Sequence, residues 1–446
     1  MKFKLPEHST LLDKSFLYGT ATASFQIEGD STSRLPCIWD TFCATAGNIA
    51  DASNGDQACE HIAKWREDID LIHSLGVDAY RFSISWPRVI GFDGKLNPQG
   101  VDFYIQLLEY LIELGIKPFV TLYHWDLPQH IEDNGGWLNR QTAYLFRDYV
   151  DLITQAFGER VHSYATLNEP FCSAYLGYEV GIHAPGLTGQ DKGKQAAHHL
   201  LLAHGLAMQV LRKNSPKALN GIVLNFTPAY PVSDSQADIN AAAYADDYLN
   251  HWYAEPVFNG CYPEILNQLP AENRPQIEEG DMQIIAQPLD YVGINYYTRA
   301  FYKADDNLPY CAISPKGVEL TAMGWEVYPD AFRDLLIDLN KRYTLPPVYI
   351  TENGAATDDE IIDGSVDDQQ RINYIQGHLL AVHQAIEAGV DIQGYFVWSL
   401  LDNFEWAEGY VKRFGIVYVD YQTQQRTKKR SAELFTELVT TRINQA

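Results

Sequence analysis

Val161-His-Ser-Tyr-Ala-Thr-Leu-Asn-Glu-Pro170 decides how this chain is read. Residues 161–168 form a short apolar run of strand type. It ends on two polar residues with chemical reach, Asn168 and Glu169, and a proline follows. Val348-Tyr-Ile-Thr-Glu-Asn-Gly354 repeats the pattern, with Glu352 and Asn353 at the end of an apolar run. Working outward from these two, runs of the same type occupy 16–24, 77–84, 116–124, 221–226, 289–296 and 392–399, with 347–351 as the seventh strand.

Between the runs lie segments of helical period. Residues 65–75 place Ile69, Ile72 and Leu75 on one helical face, and 104–114, 144–157, 198–212, 328–342 and 369–388 read similarly. Strand followed by helix, repeated around eight strands, predicts parallel strands joined by crossover helices. The expected class is α/β: a single (β/α)8 TIM barrel spanning residues 1–446, with long βα loops forming a mouth. An open doubly wound sheet would need a GxGxxG turn after the first strand, and Gly19-Thr-Ala-Thr-Ala does not supply one.

Composition narrows the function classes. The 446 residues are 46% apolar and 20% charged, enough for a large core and not the make-up of a disordered chain. The chain carries 33 Lys+Arg against 58 Asp+Glu, a formal charge of −25. That field repels phosphate backbones and anionic bilayers, so neither nucleic acid nor membrane is expected as a partner. No run of ~18 apolar residues is present. The opening Met1-Lys-Phe-Lys-Leu-Pro-Glu-His8 has no apolar signal core, and the six cysteines, at 37, 43, 59, 172, 261 and 311, form no CxxC. The expectation is free thiols, no metal site and a cytoplasmic protein. The basic cluster Arg426-Thr-Lys-Lys-Arg430 reads as a solvated face.

The strand ends carry the chemistry. Gln26 and Glu28 follow the first run, Arg81 lies in the second, and His124 and Trp125 end the third. Asn225 belongs to the fifth, Asn295 and Tyr297 end the sixth, and Trp398 ends the eighth. A barrel gathers all these ends at one mouth. Two carboxylates flanking one bond are the minimum kit for glycoside hydrolysis, one protonated to supply the leaving oxygen and one ionised to attack or to activate water. Glu169 and Glu352 supply the pair. Arg81 and Tyr297 would hold Glu352 ionised, and the like charge of Glu352 would raise the pKa of Glu169. Trp125, Trp325, Trp398 and Trp406 offer flat faces for a sugar ring. Gln26, His124, Asn168 and Glu405 offer hydrogen bonds for hydroxyls.

At these residues the chain resembles glycoside hydrolase family 1, the β-glucosidases, across about Ser15 to Leu438. The resemblance rests on Phe16-Leu-Tyr-Gly-Thr-Ala-Thr-Ala-Ser-Phe-Gln-Ile-Glu-Gly29, Tyr80-Arg-Phe-Ser-Ile-Ser-Trp-Pro-Arg88, Tyr123-His-Trp-Asp-Leu-Pro128, Thr166-Leu-Asn-Glu-Pro170, Val348-Tyr-Ile-Thr-Glu-Asn-Gly354 and Trp398-Ser-Leu-Leu-Asp-Asn-Phe-Glu-Trp406, in the family's order. It implies one catalytic barrel acting as a retaining exo-β-glucosidase on cellobiose, short oligosaccharides and aryl or alkyl β-glucosides. Some β-galactosidase, β-fucosidase and transglycosylation activity is implied as well. Glu169 would be the acid/base and Glu352 the nucleophile, with their carboxyl groups ~5–5.5 Å apart. Arg81, Asn295 and Tyr297 would support Glu352. Asn168 would take the sugar 2-hydroxyl, while Gln26, His124, Trp125, Glu405, Trp406 and Phe414 would contact the rest of the ring, with Trp398 as platform. Phe171, Cys172, Leu176, His183 and Trp325 would line the leaving-group side. No cofactor is implied, and monomer and homo-oligomer both stay open. A 6-phospho-β-glycosidase and a non-catalytic sugar-binding barrel are the alternatives. Family members that take 6-phosphoglycosides carry Ser where Glu405 stands, with a Lys and a Tyr downstream. Lys412 and Tyr418 lie in that region, but Glu405 would repel a phosphate dianion.

Overall fold

Every strand run proves to be half of a strand–helix repeat. A computed structural model describes residues 3–444. Strands one to eight are Leu17–Ala21, Ala79–Ser83, Lys117–Thr121, Ser163–Asn168, Leu219–Phe226, Tyr291–Tyr296, Val348–Asn353 and Ile392–Trp398. All pair in parallel, and strand one closes on strand eight to complete a barrel.

The strands are near-continuous apolar runs because both of their faces are buried. Inside, Phe119 packs against Tyr349 and Phe396 at ring distances of 5.5 and 4.9 Å, and Tyr291 stands edge-on to Tyr349. Gly19 makes room for this layer: a Cβ there would lie 2.3 Å from the Phe396 ring. Outside, Tyr296 stacks on Phe332 at 4.5 Å, and Tyr18 stands edge-on to Phe435. Those two contacts dock helices Pro329–Arg342 and Arg430–Thr440 onto the barrel.

The six helical segments expected from periodicity are present as His61–Ser74, Pro98–Glu113, Gln141–Phe157, Gln190–Asn214, Pro329–Arg342 and Gln369–Glu387. Two crossovers lie outside the six expected segments. After strand five the chain runs through helices Gln236–Asp246 and Trp252–Asn259, and Arg430–Thr440 returns the chain after strand eight. Strand one is shorter than the expected 16–24: it stops at Ala21, and Gln26 lies on a short helix, Ser24–Ile27. Strand seven was read too short, since Glu352 and Asn353 still belong to it.

The basic cluster is not the solvated face expected from the sequence. Residues Arg426–Lys428 pair with Val417–Val419 as a two-stranded ribbon, and Lys429 is fully buried. The Lys429 ammonium bonds Asp359 at 2.5 Å and Asp402 at 2.6 Å. Arg371 binds Asp359 and Asp368, Arg413 binds Asp402, and Arg426 binds Asp68. The six charges of Lys429, Arg371, Arg413, Asp359, Asp368 and Asp402 are tolerated there because each is paired and hydrogen-bonded. They tie the loops after strands seven and eight to the end of the chain. No helix among the described residues is long and apolar enough to cross a membrane.

Candidate active site

The C-terminal strand ends surround a cavity of about 600 Å³. Glu169, at the end of strand four, and Glu352, on strand seven, both line it. Gly354 lets strands seven and eight converge there, since a Cβ would fall 1.8 Å from the Trp398 carbonyl oxygen. Three non-glycine residues of the wall hold left-handed backbone: Trp125 (φ 77°), Glu169 (φ 46°) and Trp406 (φ 49°). Such conformations cost about 1–3 kcal/mol each and cluster where function fixes a side chain. After Glu169 the chain winds as a wide π-type helix over Cys172–Val180, a form common beside functional sites.

One hydrogen-bonded network joins the carboxylates. Arg81 donates from Nη1 to Glu352 Oε1 at 2.6 Å and from Nη2 to Asn168 Oδ1 at 2.6 Å. Tyr297 donates to Glu352 Oε2 at 2.6 Å. Asn295 donates from Nδ2 to Glu169 Oε1 at 2.6 Å and to Asn168 Oδ1 at 3.1 Å. The Cys172 thiol donates to Glu169 Oε2 at 3.0 Å. Asn295 therefore does not support Glu352 as expected. It serves Glu169, reaching across the mouth from strand six.

Environment separates the carboxyls. Burial, and then the charge of Glu352, push Glu169 from 4.5 up to about 7, against the lowering influence of Cys172, Asn295 and Arg81. Burial and the charges of Glu352 and Glu169 likewise raise Glu405 to about 8. Burial and Arg81 hold His124 well below the usual imidazole range, so its ring is neutral.

Several wall groups keep unspent hydrogen-bonding capacity. Gln26 Oε1, His124 Nδ1 and Glu405 Oε2 are enclosed and have no partner. Gln26 itself is held by Asn403 and the Phe404 carbonyl, to which its amide donates at 2.9 and 2.8 Å. Gln26, Arg81 and Asn168 lie just behind the lining, fully buried. Trp125 spends its indole N–H on the Asn168 carbonyl at 2.9 Å, so it presents ring surface and no donor to a hydroxyl. Trp398 stacks on His124 at 6.0 Å and Trp406 on Phe25 at 6.1 Å. Phe414 meets Tyr297 edge-on.

Phe171, Cys172, Leu176, His183 and Trp325 all line the same cavity. They are joined there by Ile182, Phe226, Ile313, Pro315 and Met323, which no sequence motif marked. Glu28, which follows strand one, lies elsewhere, bound to Arg88 and Tyr104. Lys412 gives its ammonium to the Ala322 carbonyl at 2.6 Å, and Tyr418 lies under the Arg413 guanidinium; neither lines the cavity. Among the described residues, one group could approach a metal ion: His8, His383 and Glu387, on the outer helix Gln369–Glu387 and the segment beside it. Its donor atoms all lie within 4.8 Å of one another, with His8 and Glu387 exposed and His383 buried.

Comparison with known proteins places this geometry. The model of glycosyl hydrolase family 1 matches residues 8–443, and the chain belongs to that family. It is 45% identical to a β-glucosidase of Agrobacterium sp., over 95% of this chain and 94% of that one. It is 41% identical to a bifunctional β-D-glucosidase/β-D-fucosidase of Bifidobacterium breve, over 96% and 98%. The solved structure of a Thermotoga maritima β-glucosidase in complex with deoxynojirimycin superimposes with a TM-score of 0.93 at 42% identity, covering 99% of each chain.

Proposed function

We propose that the protein is a retaining exo-β-glucosidase that removes terminal β-D-glucosyl residues from cellobiose, short oligosaccharides and aryl or alkyl β-glucosides. The observation that carries this reading is the pair of buried carboxyls, Glu169 raised to about 7 and Glu352 ion-paired to Arg81, in one network on one cavity. Glu352 attacks the anomeric carbon. As the glycosidic bond breaks, its electron pair goes to the leaving oxygen, which takes the proton of Glu169. Glu169, now ionised, then deprotonates the water that displaces Glu352 and restores both groups.

The unpartnered Gln26, His124 and Glu405 atoms match the hydroxyls of a neutral pyranose, and Trp398 and Trp406 match its apolar faces. Asn168 retains one amide N–H beyond its bond to His124 for the 2-hydroxyl. Lys412 is tied to a backbone carbonyl and does not line the cavity, which disfavours a 6-phosphate. The apolar leaving-group side suits aryl aglycones. The two-sugar specificity of the Bifidobacterium relative supports β-fucoside turnover here. The reading takes residues 1–446 as one catalytic unit. Six unbridged cysteines support a reducing, cytoplasmic setting. Glu352→Ala is expected to lower kcat by at least about 10⁴-fold while the melting curve keeps its shape. A variant with near wild-type turnover would sink the assignment.

A further inference from the structure

The polarity of the mouth network can be read from its one group that only donates. The Arg81 guanidinium has no acceptor, so the Asn168 atom 2.6 Å from Nη2 is Oδ1. Asn168 Nδ2 then faces His124 Nε2 at 3.2 Å, which makes Nε2 the acceptor and places the ring proton on the unpartnered Nδ1. Asn295 meets the same Asn168 Oδ1 at 3.1 Å, so that Asn295 atom is Nδ2. Its Oδ1 accepts the Thr351 hydroxyl at 2.6 Å. The same Nδ2 lies 2.6 Å from Glu169 Oε1.

We propose that Asn295 and Cys172 are positioning residues that fix which oxygen of Glu169 carries the catalytic proton: Oε1 is held as a pure acceptor, and the proton resides on Oε2 beside the thiol. This rests on the acid/base reading of Glu169. A proton on Oε1 would oppose the N–H of Asn295, which cannot turn to accept without breaking its bonds to Asn168 and Thr351. Oε2 meets only Cys172 Sγ, at 3.0 Å, and a thiol is both a weak donor and a weak acceptor. Cys172 is itself kept protonated by burial and by the Glu169 charge.

In the first half-reaction the Oε2 proton passes to the glycosidic oxygen, which keeps the electron pair of the broken C1–O bond while a Glu352 oxygen bonds C1. The thiol then donates to the bare Oε2. In the second half-reaction Oε2 takes a proton from water as the water oxygen bonds C1, and the pair of the C1–O(Glu352) bond returns to Glu352. The thiol thus favours the ionised form of Glu169, and Asn295 selects the oxygen. The other charged or titratable groups facing Glu169 are Glu352, Arg81, Tyr297 and Glu405, with Tyr253 behind Cys172.

The test compares Asn295→Ala, Cys172→Val and Cys172→Ser on phenyl β-glucoside, whose leaving group needs the proton, and on 2,4-dinitrophenyl β-glucoside, whose leaving group does not. Asn295→Ala is expected to lower kcat/KM on the phenyl substrate on the order of 10²-fold, and on the dinitrophenyl substrate by about threefold or less. Cys172→Val is expected to move the basic limb of kcat/KM up by about half a pH unit, and Cys172→Ser to return it. Equal losses on both substrates with Asn295→Ala, or a basic limb that Cys172→Val leaves in place or lowers, would overturn the proposal. Should Asn295→Ala not fold, the Cys172 pair decides alone. Glu169→Gln is the control: if it loses neither substrate selectively, the acid/base reading itself has failed. If it loses the phenyl substrate and Asn295→Ala does not, only the proton placement has.

Discussion

The raised pKa of Glu169 is also a stability liability, and it can be measured without turnover. Moving a carboxyl from 4.5 to about 7 on folding means that the folded state binds the proton more tightly than the unfolded chain. Stability is therefore full below pH 4.5 and falls as the pH rises toward 7. At ~1.4 kcal/mol per pH unit the loss above pH 7 is roughly 3 kcal/mol. Glu169→Gln copies the shape of the protonated acid, keeps an oxygen for Asn295, and abolishes the ionisation. It should stabilise the protein by roughly 3 kcal/mol at pH 8 and by under about 1 kcal/mol at pH 5. For a chain of this length about 1 kcal/mol corresponds to about 1 °C. Differential scanning calorimetry should thus show Tm about 3 °C above wild type at pH 8 and within about 1 °C at pH 5. Equal shifts at the two pH values, or a lower Tm at pH 8, would refute the argument that burial and Glu352 strain this carboxyl. The same strain is what keeps a proton available near neutrality, an instance of function held at a cost in stability.

Two further outcomes follow from the same geometry. Because Glu169 must be protonated to assist departure, kcat/KM on cellobiose should decline above about pH 7, approaching tenfold per unit, and a profile flat to pH 9 would count against Glu169 as the acid. Lys429→Met should leave Asp359 and Asp402 short of a buried cation and lower stability by about 3–5 kcal/mol; an unchanged melting temperature would show that the remaining arginines suffice.

The barrel and both carboxyls were legible because each strand run ends in its functional residues. A short apolar run giving way to a period of 3.6 is a local signal, and Glu169 and Glu352 stand at the ends of such runs. The partner of Asn295 was not legible. The family resemblance implies support of Glu352 by Asn295, and the two are register neighbours on adjacent strands. A shift of register between Ile350 and Glu352, and the reach of Asn295 past strand five, direct the amide to Glu169 instead. Lys429 was misread for a related reason: a short basic run looks solvated until the fold brings Asp359 and Asp402, 70 and 27 residues away, against it. The helices after strand five escaped notice because Gln236–Asp246 is rich in alanine and polar residues, and Pro256 interrupts the next. The π-type winding of Cys172–Val180 has a period that a search for 3.6 residues per turn does not register. Cys172 was placed with the leaving-group wall, and it does line the cavity, but its thiol also touches the Glu169 carboxyl.

Proton NMR of the first product released from an aryl β-D-glucoside tests the central claim most directly. Two displacements at one carbon, by Glu352 and then by water assisted by Glu169, predict β-glucose as the first anomer, with α-glucose growing in only by mutarotation. α-Glucose first would mean a single displacement by water, and would contradict the nucleophile role of Glu352 and the account built on it.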